Sequence, residues 1–158
     1  MGLNKFRPHI RVLSEDDANS NIWNGFTKEL RQGAPIQVLP VAGGWLKVLA
    51  DFRDDQAPLM DTFPERLMLL LIDFDEDDDR LEKAREYVPV HLQERVFILG
   101  AWTEPERLRE TLGSYETIGR SIATGCRDGN DSIWNHDLLR HNAGEMARLR
   151  LRVMPILF

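Results

Sequence analysis

Six consecutive residues, Leu67 to Ile72 in "RLMLLLI", are apolar with no polar alternation, and the chain then runs straight into acid. A short, uniformly apolar run suits a strand buried on both faces of a parallel sheet. A buried helix would need a longer one. From Asp73 to Asp79, six of seven side chains are acidic. Two carboxylates about 4 Å apart repel by on the order of 4 kcal/mol at an effective dielectric near 20. The chain must therefore solvate these acids, cap a helix with them, or neutralise them with a cation.

The segments around this strand repeat an alternation. "HIRVL" (His9 to Leu13) and "PIQVLPV" have the short β-branched character of strands, and "RVFILG" (Arg95 to Gly100) is a fourth. Between them, Ser14 with Asp17 forms a capping-box-like start for a helix carrying Ile22, Trp23, Phe26 and Leu30, stopped by Gly33. "WLKVLADF" predicts a short helix after Gly43-Gly44. A helix over about Asp77 to Tyr87 ends at Pro89. Another has Thr103 as N-cap, with Pro105 and Glu106 in its first turn. Beyond Gly113 two helical stretches are separated by a turn at "RDGND". The order β-α-β-α-β-α-β followed by helices predicts an α/β fold: a mostly parallel four-stranded sheet flanked by helices, with a C-terminal helical extension. At 158 residues the whole chain is expected to form one domain, a core over 10–112 with the helices of 113–158 packed on it.

A net charge of −6 argues against a broad basic surface that grips nucleic acid non-specifically. It leaves room for an enzyme that meets nucleic acid through bridging cations. The one cysteine, Cys126, excludes an internal disulfide and fits a reducing compartment. "MGLNKFRPHI" lacks the apolar core of a signal peptide, and the longest apolar run is far short of the roughly 20 residues of a membrane span. The expectation is a cytoplasmic protein without membrane contact.

In a parallel sheet the working site lies beyond the carboxyl ends of the strands. Glu15 follows the first strand there, and Asp73 and Asp75 follow the third. While the backbone stays extended, alternate side chains share a face, so Asp73 and Asp75 can address one ion. Mg2+ or Mn2+ takes oxygen ligands and needs only one or two carboxylates. Glu15 would be a third ligand or a general acid/base, and Glu104 or Glu106 the reserve for a second ion. The alternative for Asp77, Asp78 and Asp79 is the first turn of a helix, each gaining roughly 0.3–1 kcal/mol from the dipole. Asp73 and Asp75 have the alternative of a solvated loop. An EF-hand does not fit, because Asp78 stands where its glycine belongs and Ala84 where its glutamate belongs.

This order of motifs resembles the Toprim (topoisomerase–primase) domain, in the flavour of OLD nucleases and small stand-alone Toprim-like proteins. The resemblance covers roughly Ile10 to Leu112. It rests on Glu15 in "VLSEDD", the glycine turn in "VLPVAGGWLKVL", Asp73-Phe74-Asp75 in "LLIDFDED", and Glu104 and Glu106 in "TEPERL". It implies a Mg2+- or Mn2+-dependent nuclease acting on nucleic acid, with Glu15, Asp73 and Asp75 catalytic and Lys47 as a basic partner for substrate. The family glutamate is usually followed by glycine, where this chain has Asp16. No Gly-x-x-x-x-Gly-Lys-Ser/Thr loop exists, so an ATPase of the OLD kind would act in trans. These departures support a second reading, a non-catalytic Toprim-like binding or assembly module.

Other features have simpler expectations. His136 and His141 are five apart, whereas helical zinc pairs stand four apart. Arg140, Arg148, Arg150 and Arg152 read as a solvated face pairing with the acidic body, the tryptophans as core anchors, and Cys126 as inert. "MPILF" is expected to dock on the body or in a homo-oligomer interface.

Overall fold

The structure is a computed structural model that describes residues 6–158. The expectation about a leader falls largely on residues 1–5, outside those described. Four strands form an all-parallel sheet: β1 (His9–Ser14), β2 (Ile36–Val38), β3 (Arg66–Leu71) and β4 (Val96–Leu99), in the order β2-β1-β3-β4. In register, Ile10 of β1 lies opposite Ile36 on one side and Leu67 on the other. All six residues of β3 are buried, which is why its sequence shows no alternation.

The two faces of the sheet carry separate cores. Leu67, Leu69 and Leu71 pack with Ile10 and Val12 under α1 (Asp17–Lys28), α6 (Tyr115–Asp128), α7 (Ala143–Arg152) and α8 (Met154–Leu157). Met68, Leu70 and Ile72 pack on the opposite face against α2 (Trp45–Asp51), α3 (Ala57–Thr62) and α4 (Arg80–Arg85). Each fully buried leucine or isoleucine contributes roughly 1.5–3 kcal/mol, so β3 holds both layers together. Helices α1 and α6 approach closely through glycines. A Cβ on Gly119 would lie 1.7 Å from the Ile22 carbonyl oxygen, and one on Gly25 2.5 Å from that of Glu116.

The predicted α/β fold with C-terminal helices is present, and several boundaries differ for local reasons. The N-cap of α1 is Asp16, whose carboxylate accepts from the Asn19 N–H at 3.0 Å, whereas Ser14 is the last residue of β1. The helix beginning at Trp45 does not stop at Phe52. One π-type turn (Phe52–Gln56) carries it into α3. Asp77, Asp78 and Asp79 precede α4 instead of forming its first turn. Asp77 accepts from the Asp79 N–H at 2.9 Å and pairs with Lys83 at 3.0 Å, closing an Asx-type turn before the helix. Thr103 caps nothing. Glu104 precedes a 3-10 turn (Pro105–Leu108) that leads into α5 (Arg109–Leu112). The helical stretch predicted after "RDGND" opens instead with two 3-10 turns (Ser132–Asn135 and Arg140–Asn142), and α7 follows them.

The C-terminal extension is bound to the sheet by a buried acid. Glu145 of α7, 2% exposed, accepts from the Ile98 N–H at 3.0 Å and from Arg148 at 3.0 Å, and pairs with Arg85. Arg150 pairs with Asp131 and Arg140 with Asp137, as expected of cations meeting an acidic body. Leu157 is buried in the core, and the Leu157 carbonyl accepts from Arg31 at 3.1 Å, so the apolar C terminus docks on the body. Trp23 and Trp134 are core anchors, whereas Trp45 and Trp102 are half-buried. Cys126 is partly buried, and burial pushes its thiol up to about 11, which makes it a poor nucleophile. Among the described residues no helix is long and apolar enough to cross a membrane.

Candidate functional site

The sheet order makes β1 and β3 neighbours, with β2 reached on one side and β4 on the other. The strand order reverses at β1, with β2 added on one side and β3 on the other, and such switch points are where open parallel sheets place ligands, at the carboxyl ends of the strands. Glu15 leaves β1 and Asp73 follows β3 by two residues, so these two acids stand at the switch point.

They meet directly. The Glu15 carboxylate accepts from the Asp73 backbone N–H at 2.7 Å, and the Glu15 N–H donates to the Leu71 carbonyl at 2.9 Å. On its other side the Glu15 carbonyl accepts from Gly43 at 2.9 Å and Gly44 at 3.1 Å, in the turn before α2. Gly43 has φ 93° and Gly44 φ 152°, conformations that favour glycine. Glu15 therefore staples three loops together. Burial raises its pKa above the usual carboxylate value. The Asp73 N–H opposes that, the charge of Asp16 adds to it, and Arg80 and the Trp45 N–H oppose it.

Asp73 is the more perturbed acid. Burial, then the charges of Glu15, Asp16 and Glu106, push its carboxyl up to about 7 against the pull of Asn19. Asn19 is itself buried, and its amide donates to Asp73 and to Asp16, both at 3.1 Å. Neutral pH thus finds Asp73 divided between acid and base, the state a proton-transferring group needs.

Asp75 does not join it. The extended backbone ends at Phe74, and Asp75 (φ 50°) and Glu76 (φ 56°) are left-handed. The side chain of Asp75 is 83% exposed, with Arg80 at 3.8 Å. The alternation that would point Asp73 and Asp75 at one ion therefore fails. Glu104 and Glu106 are exposed in the loop after β4, and only the charge of Glu106 reaches Asp73. Lys47 is exposed on α2, with its side chain folded back over Gly43. Among the described residues no three His, Cys, Asp or Glu side chains are grouped as a ready metal cage. His136 and His141 are separately engaged, with Thr111 and with the Gly100 carbonyl.

Two residues at the tip escaped sequence reasoning. Asn19 falls on the apolar stripe of α1, three, four and seven positions before Ile22, Trp23 and Phe26. A polar residue on such a stripe is the signal that could have found it. Arg80 ends the acidic run as its lone cation. Its guanidinium stacks 4.2 Å over Trp45 and donates to the Asp73 carbonyl at 2.7 Å, while its Nε is buried without a partner among the described residues.

The donor set at the switch point is all oxygen, which suits a hard divalent cation such as Mg2+ or Mn2+ rather than zinc. Asp73 would hold such an ion, with Asp16 and Glu106 as the other carboxylates whose field it shares. Compared with protein-family models, curated proteins and solved structures, the chain gives no match.

Proposed function

We propose that the chain is a Toprim-like protein that cleaves phosphodiester bonds of nucleic acid with the help of Mg2+ or Mn2+. The observation that carries this reading is the contact between Glu15 and Asp73 at the β1/β3 switch point. It brings two strand-tip acids together where a ligand is expected. The ion, when bound, supplies neutralisation of negative charge at a phosphoryl oxygen. Asp73 holds or releases a proton at its carboxyl, Glu15 sets the position of the Asp73 backbone, and Arg80 holds the Asp73 carbonyl from the α2 side. The proposed ligand set moves from the Asp73/Asp75 pair to Asp73 with Asp16 or Glu106.

A second reading has its own support. Glu15 is engaged by backbone groups and Asp75 faces solvent, so fewer acids are free for an ion than the family pattern implies. That arrangement suits a non-catalytic binding or assembly module, including one that serves an ATPase in trans. Cleavage of single- and double-stranded DNA and RNA with Mg2+ or Mn2+, wild type beside Asp73→Ala, separates the two. Metal-dependent cleavage lost in the variant supports the enzyme. Absence of cleavage together with absence of ion binding in calorimetry supports the module.

A further inference from the structure

The amino edge of the sheet, at the far end of the strands from the acidic tip, carries a group of cations without counter-ions. β1 begins at His9 and β3 at Arg66, and these two residues are partners in the parallel register. Register partners, and residues two apart on one strand, point to the same face. His9, Arg11 and Arg66 therefore share the face that carries Met68, Leu70 and Ile72, with Gln37 of β2 opposite Arg11. At about 3.3 Å per residue, His9 lies roughly 16 Å from Ser14 at the other end of β1.

Arg66 is only 5% exposed. Its Nε donates to His9 Nε2 at 2.9 Å, and its guanidinium carbon stands 4.3 Å over the Phe63 ring. His9 Nδ1 donates to the Arg7 carbonyl at 2.9 Å, so the ring is neutral and turns the lone pair of Nε2 to the arginine. These contacts fix the guanidinium, and neither brings a negative charge. The two Nη groups have no hydrogen-bond or ion-pair partner among the described residues. They still reach solvent, because the sealed unpaired side-chain atoms among those residues are Ser14 Oγ, Arg80 Nε, Thr103 Oγ1 and His141 Nδ1. Arg11 is half-buried and also in no ion pair among the described residues. Burial, then the charge of Arg11, lowers the Arg66 pKa, and no acid opposes the shift. The acids nearest Arg66 in the chain do not serve it. Asp61 pairs with His91, and Glu65 is exposed and in no ion pair among the described residues. Arginine stays charged in proteins, and a buried charge is ordinarily paired.

We propose that the Arg66 Nη groups and Arg11 bind a phosphate group at the amino edge of the sheet. Two guanidinium groups match an anion of charge near −2, whereas a carboxylate neutralises only one. The planar fork of arginine also fits two phosphate oxygens at once. Gln37, exposed beside Arg11, adds an amide donor. His9 and Phe63 are positioning residues that aim Arg66. The site uses none of the strand-tip acids and needs no divalent cation. Inorganic phosphate, a small phosphate monoester and the phosphorylated end of a nucleic-acid strand all present this chemistry.

The test is calorimetric titration of the full chain with inorganic phosphate, in EDTA at pH 8 and fixed ionic strength, with acetate as the carboxylate control. Phosphate is expected to bind at one site, about tenfold or more tighter than acetate. Arg11→Gln removes no contact within the protein. It should weaken phosphate about ten- to a hundredfold, the worth of a charge-assisted hydrogen bond, without lowering the melting temperature in phosphate-free buffer. Arg140→Gln, the same charge change on the C-terminal extension, should leave phosphate binding as it is. Absence of phosphate binding, acetate binding as tightly as phosphate, or equal losses in the two variants overturns the proposal. Competition assays then distinguish the sources. Displacement of phosphate by 5′-phosphorylated oligo-dT but not by its 5′-hydroxyl twin supports the site as one for a strand end. Displacement by glycerol 3-phosphate alone supports it as one for a small monoester. Because EDTA removes the divalent cation, either result is independent of the cleavage assay that tests Asp73.

Discussion

Replacing Asp73 by asparagine is expected to stabilise the protein while destroying its proposed activity. The cause is the position of the Asp73 carboxyl, pushed from the ordinary 3.8 to about 7 mainly by burial. Between those two values the unfolded chain releases this proton and the folded one keeps it. The folded state therefore binds more protons, and stability falls as pH rises from about 4 to 7. Above pH 7 the full penalty is present, on the order of 4 kcal/mol at 1.36 kcal/mol per pH unit. The side chain is partly open to water, and screening reduces this to about 2 kcal/mol. Asparagine keeps an oxygen for the Asn19 amide and carries no charge, so Asp73→Asn removes the penalty. For a chain of this length the gain is a rise of about 4–8 °C in melting temperature at pH 8, shrinking toward zero near pH 4. Circular dichroism melts of both proteins in EDTA across that range measure it. Excess Mg2+ at pH 8, at about 100 times its dissociation constant, should recover up to about 2.7 kcal/mol for the wild type and nothing for the variant. A variant less stable than wild type at pH 8, or a gap independent of pH, would refute the reasoning.

Glu145→Ala leaves Arg148 and the Ile98 N–H without their buried acceptor, and urea unfolding should show a loss of about 3–5 kcal/mol. Gly119→Ala drives a methyl into the Ile22 carbonyl, so about 3 kcal/mol or more is lost as α1 and α6 are pushed apart, read by the same titration. His9 is buried, donates through Nδ1 to the Arg7 carbonyl and accepts from Arg66 at 2.9 Å through Nε2, and burial lowers its pKa. The unfolded histidine protonates first, so this contribution is complete above pH 6.5 and is lost as pH falls through the lower folded value. The stability difference between wild type and His9→Gln should therefore narrow below pH 6.5, measured in chemical denaturation at several pH values.

Layer order and strand identity were legible because burial on both faces leaves an unmistakable trace in "RLMLLLI", and because turn residues separate each strand from its helix. The meeting of Glu15 with Asp73 was legible for the same reason, since both acids are placed by strand ends and parallel pairing carries strand ends to one edge. What failed was everything decided by side-chain hydrogen bonds over a few residues. Ser14 and Asp16 are equally good caps by composition, and the choice fell to Asp16 because β1 runs through Ser14 to its carboxyl end. Asp75 shows the limit most clearly. A D-x-D pair shares a face only where the backbone is extended, and nothing in the residue types says where a strand stops bending to its neighbour. Phe74 still donates to the Ala101 carbonyl, and Glu76 to that of Trp102, so one side of the chain continues its pairing. Between them Asp75 swings into the left-handed region, where a second non-glycine residue follows it. Each such residue costs on the order of 1 kcal/mol and persists only where surrounding contacts over-determine it. Here those contacts are the Glu15 staple on one side of Asp73 and Arg80 stacked on Trp45 on the other. The tip therefore spends conformational energy to hold one acid, Asp73, and gives up the second acid of the motif to do so.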